Sequence, residues 1–155
     1  MSSMNIHFLN KRLLHQLGFA GLIPFCALCL ACWLVDIGWL GVFIKNQLAY
    51  GILILSFLGG VHWGAALIAV QLTPRQSKRA LLWSVTPSLI AWLSTMLGGF
   101  GFALLIAGFI GAYQVDKRLY AWYGLPDWFI SLRFKLTCVV IAALALTVVA
   151  ANVRG

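Results

Sequence analysis

The sequence predicts an all-α polytopic membrane protein: a single domain, residues 1–155, built as a bundle of five transmembrane helices. The N-terminus is expected in the cytoplasm and the C-terminus in the periplasm. Three observations carry this reading. Charged residues make up 9% of the chain and hydrophobic residues 63%, whereas a soluble domain carries about 25% charged residues. Apolar runs recur along the whole length, each suited to a hydrocarbon core of about 30 Å. Lysine and arginine also fall on alternate connections. Lys11 and Arg12 precede the first span; Arg75, Lys78 and Arg79 follow the second; Lys117, Arg118, Arg133 and Lys135 follow the fourth. Lys45 and Arg154 stand on the other side, nine against two. Cytoplasmic loops collect the positive charge, which sets the orientation. The net charge of +8 is scattered through short loops. That pattern suits anionic lipids rather than a nucleic acid.

The first span is expected over about 17–34, after a polar lead with His15, and Pro24 should kink it. A cleaved leader is the competing reading of this basic-then-apolar start. The run is too long for it, and no small-x-small cleavage site follows. Around Cys32 the lipoprotein pattern also fails, because Cys29 stands where leucine is wanted.

The second span, about 47–70, is the centre of the expected bundle. Within it, GILILSFLGGVHWGAALIA runs from Gly51 to Ala69. At ~100° per residue, Ser56, Gly60 and Gly64 share a narrow sector flanked by Gly59 and Trp63. Small residues spaced by four let helix backbones approach closely, so this sector is expected to face another helix. His62 points to the opposite side with Gly51, Leu55 and Leu58. A polar side chain in hydrocarbon is costly and faces protein or water, so that side also calls for protein neighbours.

The third span is expected over about 80–97, with Ser84, Thr86 and Ser88 around Pro87. The proline frees a carbonyl that hydroxyls can help satisfy. Gly98 and Gly99 form a tight hairpin. The fourth span, about 100–115, is short and rich in small residues. Residues 116–133 are expected at the membrane interface. There Tyr120, Trp122, Tyr123 and Trp128 suit the headgroup level and offer a docking surface. Pro126 followed by Asp127 reads as a helix start. The fifth span covers about 134–152.

No constellation for chemistry stands out, so the chain is read as no enzyme and no cofactor is assigned. Cys26, Cys29 and Cys32 open like a ferredoxin run, but the position of the fourth ligand is Asp36. Strung around one helix, the thiols read as small buried packing residues. His62 is the only deep histidine, with His15 near the boundary and His7 outside, so paired haem ligands are not expected. Asp36, Asp116 and Asp127 are all expected near interfaces. Antiparallel packing would put His62 and Ser84 at similar depth, so neutral His62 is expected to bond Ser84, Thr86 or a carbonyl freed by Pro87.

Three stretches carry a resemblance: SFLGGVHWGAAL (56–67), WSVTPSLIAW (83–92) and LPDWFISLRFKLT (125–137). They resemble an uncharacterised family of bacterial and mitochondrial inner-membrane proteins that includes transmembrane protein 69. Gly-Gly-Val-His-Trp-Gly, residues 59–64, is the most specific part. The resemblance implies a multi-pass protein of the bacterial inner membrane and brings no activity or catalytic residue with it. The first functional expectation is an accessory, structural or assembly subunit of a larger membrane complex, in the bilayer with a membrane-protein partner or as a homo-oligomer. The alternative is binding or transport of a small amphiphile, a quinone or lipid, between spans two and three.

Overall fold

The computed structural model describes the backbone of residues 3–155 and side chains from Lys11 onward; His7 lies outside the described side chains. Six α-helices and one 3-10 turn follow one another: α1 (Ser3–Ala20), α2 (Ile23–Leu34), α3 (Ile37–Ile68), α4 (Pro74–Ser94), the turn Gly98–Phe100, α5 (Gly101–Trp122) and α6 (Asp127–Arg154). The described residues contain no strand. Four segments are long and apolar enough to cross a membrane: Lys11–Leu34, Ile37–Ile68, Gly98–Trp122 and Asp127–Arg154.

Pro24 does more than kink the first span. It sits in the first turn of α2 and ends α1 at Ala20. A proline cannot donate to the turn before it, and the break is closed from outside. Tyr50 of α3 donates its hydroxyl to the Gly21 carbonyl at 2.9 Å.

The connection expected at 35–46 is helical instead. Only Val35 and Asp36 separate α2 from α3. At 1.5 Å per residue α3 is ~48 Å long, longer than the hydrocarbon core is thick. Its first turns carry Leu40 into a small cluster with Cys32 and Ala150. Arg154 tethers the same end, donating to the carbonyls of Cys32 and Val35. Terminal carbonyls of a helix have no partner in their own helix, so α6 caps α2.

α3 is the centre of the bundle, packed against α2, α4, α5 and α6. Its buried stripe is Gly51, Leu55, Leu58, Gly59, His62 and Ala66, so the face that carries His62 is the inner one. Leu55, Leu105, Phe109, Leu144 and Phe25 form the middle of the core. Beyond them Gln47 ties three helices together. Its amide donates to the Phe25 carbonyl at 3.1 Å and to the Thr147 hydroxyl at 3.3 Å.

The small-residue sector of α3 is a correction. Gly60, Gly64 and Trp63 are exposed, and a Cβ on Gly60 or Gly64 would touch nothing. The close approach belongs to the neighbouring glycine. A Cβ on Gly59 would collide with the Ser84 carbonyl and press on the Pro87 ring. The helical sectors of Gly59 and Gly60 lie ~100° apart, and the buried stripe passes through the first. The segment expected at the interface, 116–133, is also redrawn. α5 runs through to Trp122 and α6 begins at Asp127, with Gly124 at φ 70° in the turn between them.

The two glycines give a sharp pair of variants. Gly59→Ala forces its new methyl against backbone and is expected to cost about 1–3 kcal/mol, the range for overpacking. Gly60→Ala meets open space and gains helix propensity, so it is expected to be neutral or slightly stabilising. Thermal unfolding of both variants in one detergent checks this, and equal melting temperatures would contradict the packing.

Candidate functional site

Polar residues are rare in this core, and several of them meet at one end of the bundle. α3 carries His62 on its buried stripe. α5 continues its own stripe through Phe109, Ala112, Asp116, Leu119 and Tyr120. α6 contributes Leu132, Arg133, Thr137 and Val140 in the same way. His62 and Tyr120 are 0% exposed, Asp116 1% and Arg133 6%.

The Asp116 carboxylate joins three helices. His62 Nε2 lies 2.6 Å from its Oδ1. Arg133 Nε donates to Oδ2 at 2.9 Å, and Arg133 Nη2 lies 2.7 Å from the same oxygen. A carboxylate receiving donors on both oxygens acts as an acceptor throughout. The hydrogen on Nε2 therefore follows from its partner. Nδ1 of the same ring lies 3.0 Å from the Tyr123 hydroxyl. Tyr123 follows the last turn of α5. Burial first, and the nearby Asp116 charge second, push its phenol up to about 12. The hydroxyl thus keeps its hydrogen at neutral pH and can donate it to Nδ1. The Tyr120 ring stacks on the imidazole at 5.3 Å between centroids.

This arrangement corrects the expected partner of His62. The Ser84 hydroxyl donates to the Leu81 carbonyl of its own helix at 2.6 Å, a local bond that serine commonly makes within a helix. Thr86 does the same with Leu82 at 3.0 Å. Ser84 and Pro87 do pack against the family-like stretch of α3, but at Gly59 rather than at His62. Asp116 is buried among the helices, a partner the sequence reading did not assign to His62. The sequence holds a signal for it: Asp116 continues the α5 spacing from Ala112 to Leu119 and Tyr120. Tyr120, expected as a docking residue, is core. Trp128 stacks on His15 at 5.3 Å and takes Lys11 over its ring at 5.6 Å. Trp122 is half-buried beside Leu119 and Ala80. Continuing the helix through 116–122 turns Tyr120 inward, and the start of α6 returns Trp128 to α1.

Next to this network lies an apolar pocket of about 290 Å³, near the lower end for small-molecule sites. Leu17 and Gly18 of α1, Phe25 of α2, Phe57 of α3 and Leu136 of α6 form its walls. Tyr120, Arg133 and Thr137 close one end. The Tyr120 hydroxyl, Arg133 Nη2 and the Thr137 hydroxyl are buried and have no hydrogen-bond partner. Arg133 Nη2 is nonetheless paired with the Asp116 carboxylate at 2.7 Å. A second crevice of about 480 Å³ is lined by Gln71, Trp122, Tyr123, Gly124 and Leu125. Among the described residues no three metal-ligating side chains converge. Of the cysteines, Cys26 is exposed while Cys29 and Cys32 are buried.

Residues 10–149 match the family described as "Protein of unknown function (DUF3429)", and the chain belongs to that family. It is 36% identical over 141 residues to Transmembrane protein 69 of Xenopus tropicalis, covering 83% of this chain and 50% of that protein. To Transmembrane protein 69 of Mus musculus it is 29% identical over 136 residues, covering 86% and 54%. The chain spans about half the length of these curated relatives. No solved structure matches it.

Removing one partner of a buried ion pair leaves the other charge uncompensated, at a cost of about 3–5 kcal/mol. Asp116→Ala is expected to lose that much, because Arg133 stays buried. Asp116→Leu combined with Arg133→Met removes both charges and is expected to recover most of the loss. Unfolding midpoints in detergent check this, and a double variant no better than Asp116→Ala would contradict it.

Proposed function

We propose that this chain is a five-span protein of the bacterial inner membrane that holds one amphiphile, a quinone or a lipid, in the pocket between α1, α2, α3, α5 and α6. The single observation that carries the reading is the end of that pocket. Tyr120, Arg133 and Thr137 are among the few polar residues lining an otherwise apolar slot, and the Tyr120 and Thr137 hydroxyls are buried without a hydrogen-bond partner. Each buried polar group left unsatisfied costs about 1–3 kcal/mol. A polar head on an apolar chain would supply what the two hydroxyls lack. The site differs in place from a slot between the second and third spans, because Gly59 lets α3 and α4 close on each other.

The membrane arrangement follows from lengths and charges. α4 is a fifth span in this reading. Its 21 residues rise ~31 Å, about the thickness of the hydrocarbon core. Its first turns carry Arg75, Lys78 and Arg79, which suits the cytoplasmic headgroups. Arg133 is spent on Asp116 inside the bundle, so eight basic residues remain on the N-terminal side against Lys45 and Arg154. The N-terminus is then cytoplasmic and the C-terminus periplasmic.

A second reading, an accessory or assembly subunit of a larger membrane complex, has one observation in its favour. Gly60 and Gly64 present a flat, exposed strip on α3 that no other described part of this chain covers. Small residues of that kind suit a partner helix.

One purification in mild detergent separates the readings. The amphiphile reading expects native mass spectrometry to find one co-purifying lipid or quinone per chain. Leu136→Trp, which fills the slot, should lower its occupancy about tenfold while leaving helicity unchanged. An empty wild-type chain, or equal occupancy in the filled variant, would overturn the reading. Stoichiometric co-migration with a larger complex, abolished in Gly60→Leu, would favour the subunit instead.

A further inference from the structure

A separate groove lies at the end of the bundle opposite Asp116, between α3, α5, α6 and the turn Gly98–Phe100. Its volume is about 870 Å³, within the range of small-molecule sites. Leu48 of α3, Ala103 and Ile106 of α5 and Ala145 of α6 belong to its apolar walls. The polar side chains in its lining are Lys45, Thr95 and Asn152, and all three residues are exposed.

Polar and apolar residues are ordered along this groove. α6 runs back along α3: Arg154 reaches Val35 at one end, and Arg133 shares Asp116 with His62 at the other. The bond between Gln47 and Thr147 sets a common level. At 1.5 Å per residue, Lys45 stands ~3 Å and Asn152 ~8 Å beyond that level, away from Asp116. Ala145 stands ~3 Å on the inner side of it. A Cβ on Gly101 would touch Leu48, and Ile106 lies ~8 Å further in along α5. A hydrocarbon core of ~30 Å that ends at Ile68 takes up about 20 residues of α3. Lys45 then falls just outside it, at headgroup level.

Lys45 is also a cation with no partner. Among the described residues the ion pairs are those on Asp116. Arg154, the other cation at this end, is occupied by the carbonyls of Cys32 and Val35. Asn152 Nδ2 donates one hydrogen to the Val148 carbonyl at 2.8 Å, and an amide nitrogen has a second to give. The Thr95 hydroxyl donates to the Trp92 carbonyl at 2.7 Å and can still accept.

We propose that this groove holds an anionic phospholipid of the outer leaflet, its phosphate on Lys45 and one acyl chain between α5 and α6. Cation outward and apolar walls inward match the orientation of a lipid in that leaflet. A zwitterionic head brings its own cation beside the phosphate, so an anionic head gains more from Lys45. The site is distinct from the slot at Tyr120 and shares with that reading only the assignment of spans. Much of its lining is exposed, so its lipid exchanges with detergent and is supplied in the test.

The test adds phosphatidylglycerol and phosphatidylcholine with the same chains, at equal concentration, to the full chain in maltoside micelles. Native mass spectrometry counts the bound lipid. The wild-type chain is expected to retain phosphatidylglycerol about fivefold better, the effect of one lysine on an anionic lipid. Lys45→Gln should bring the two lipids to equal retention. Ala145→Trp, which fills the groove from an exposed position, should lower retention of phosphatidylglycerol. Leu136→Trp, in the inner slot, should leave the preference intact. Equal retention of both lipids by the wild-type chain overturns the proposal. A preference lost in Leu136→Trp and kept in Lys45→Gln assigns the lipid to the inner slot and overturns this proposal alone. Glycerophosphoglycerol, the same head without chains, should not displace the lipid; displacement at equal concentration means a free-anion site and overturns the groove. A lipid-free dimer that Ala145→Trp dissociates gives the groove to a second copy of the chain and overturns it as well.

Discussion

A carboxylate buried where three helices meet constrains everything around it. Asp116 is 1% exposed, and a buried charge is tolerated only when paired and hydrogen-bonded. Its partners come from α3 and α6, so α3, α5 and α6 must meet at one level and in one rotational setting. That setting brings Tyr120, Arg133 and Thr137 to the lining of the same slot and leaves Tyr123 on the other nitrogen of the imidazole. Apolar packing alone would leave these helices free to slide, since lipid is as apolar as leucine. The ion pair fixes their register.

At the opposite end the same need is met with groups that bond backbone. Gln47 joins Phe25 and Thr147, Tyr50 closes the break before Pro24, and Arg154 caps α2. Each satisfies a backbone carbonyl or side chain that has no water to turn to. Both ends leave buried polar atoms without a partner, Gln47 Oε1 at this one. Near Asp116, Tyr120, Arg133 and Thr137 also line an apolar pocket.

The helical class and the spans with the strongest apolar runs were legible because length and hydropathy are properties of the residues themselves. So were the helix start at Asp127 and the turn at Gly98, which depend on local backbone chemistry. Pro24 was legible as a disturbance, but its outcome, two helices closed by Tyr50, needs a residue 29 positions beyond Gly21. His62 was legible as the residue needing a partner. The partner was not, because depth along two antiparallel spans fixes height and says nothing about rotation. Ser84 has the right height and turns its hydroxyl to its own helix, while Asp116 arrives from α5. The Ser56–Gly60–Gly64 sector misleads for the same reason. Spacing shows that residues share a face, and it does not show which face is buried. The unbroken helix from Ile37 to Ile68 was hidden by Lys45 and Asn46. They read as a connection and lie instead on the helix itself, in its N-terminal half.

The proposed role of the slot lined by Tyr120, Arg133 and Thr137 is to hold the head of an amphiphile. An experimental structure of the chain in lipid, at a resolution that separates waters from acyl chains, tests it most directly. The expected result is elongated density in the slot, its head within hydrogen-bonding distance of the Tyr120 and Thr137 hydroxyls, with His62 still on Asp116. A slot closed by Leu136 and Phe57, or one in which those two hydroxyls bond only to water, would contradict it.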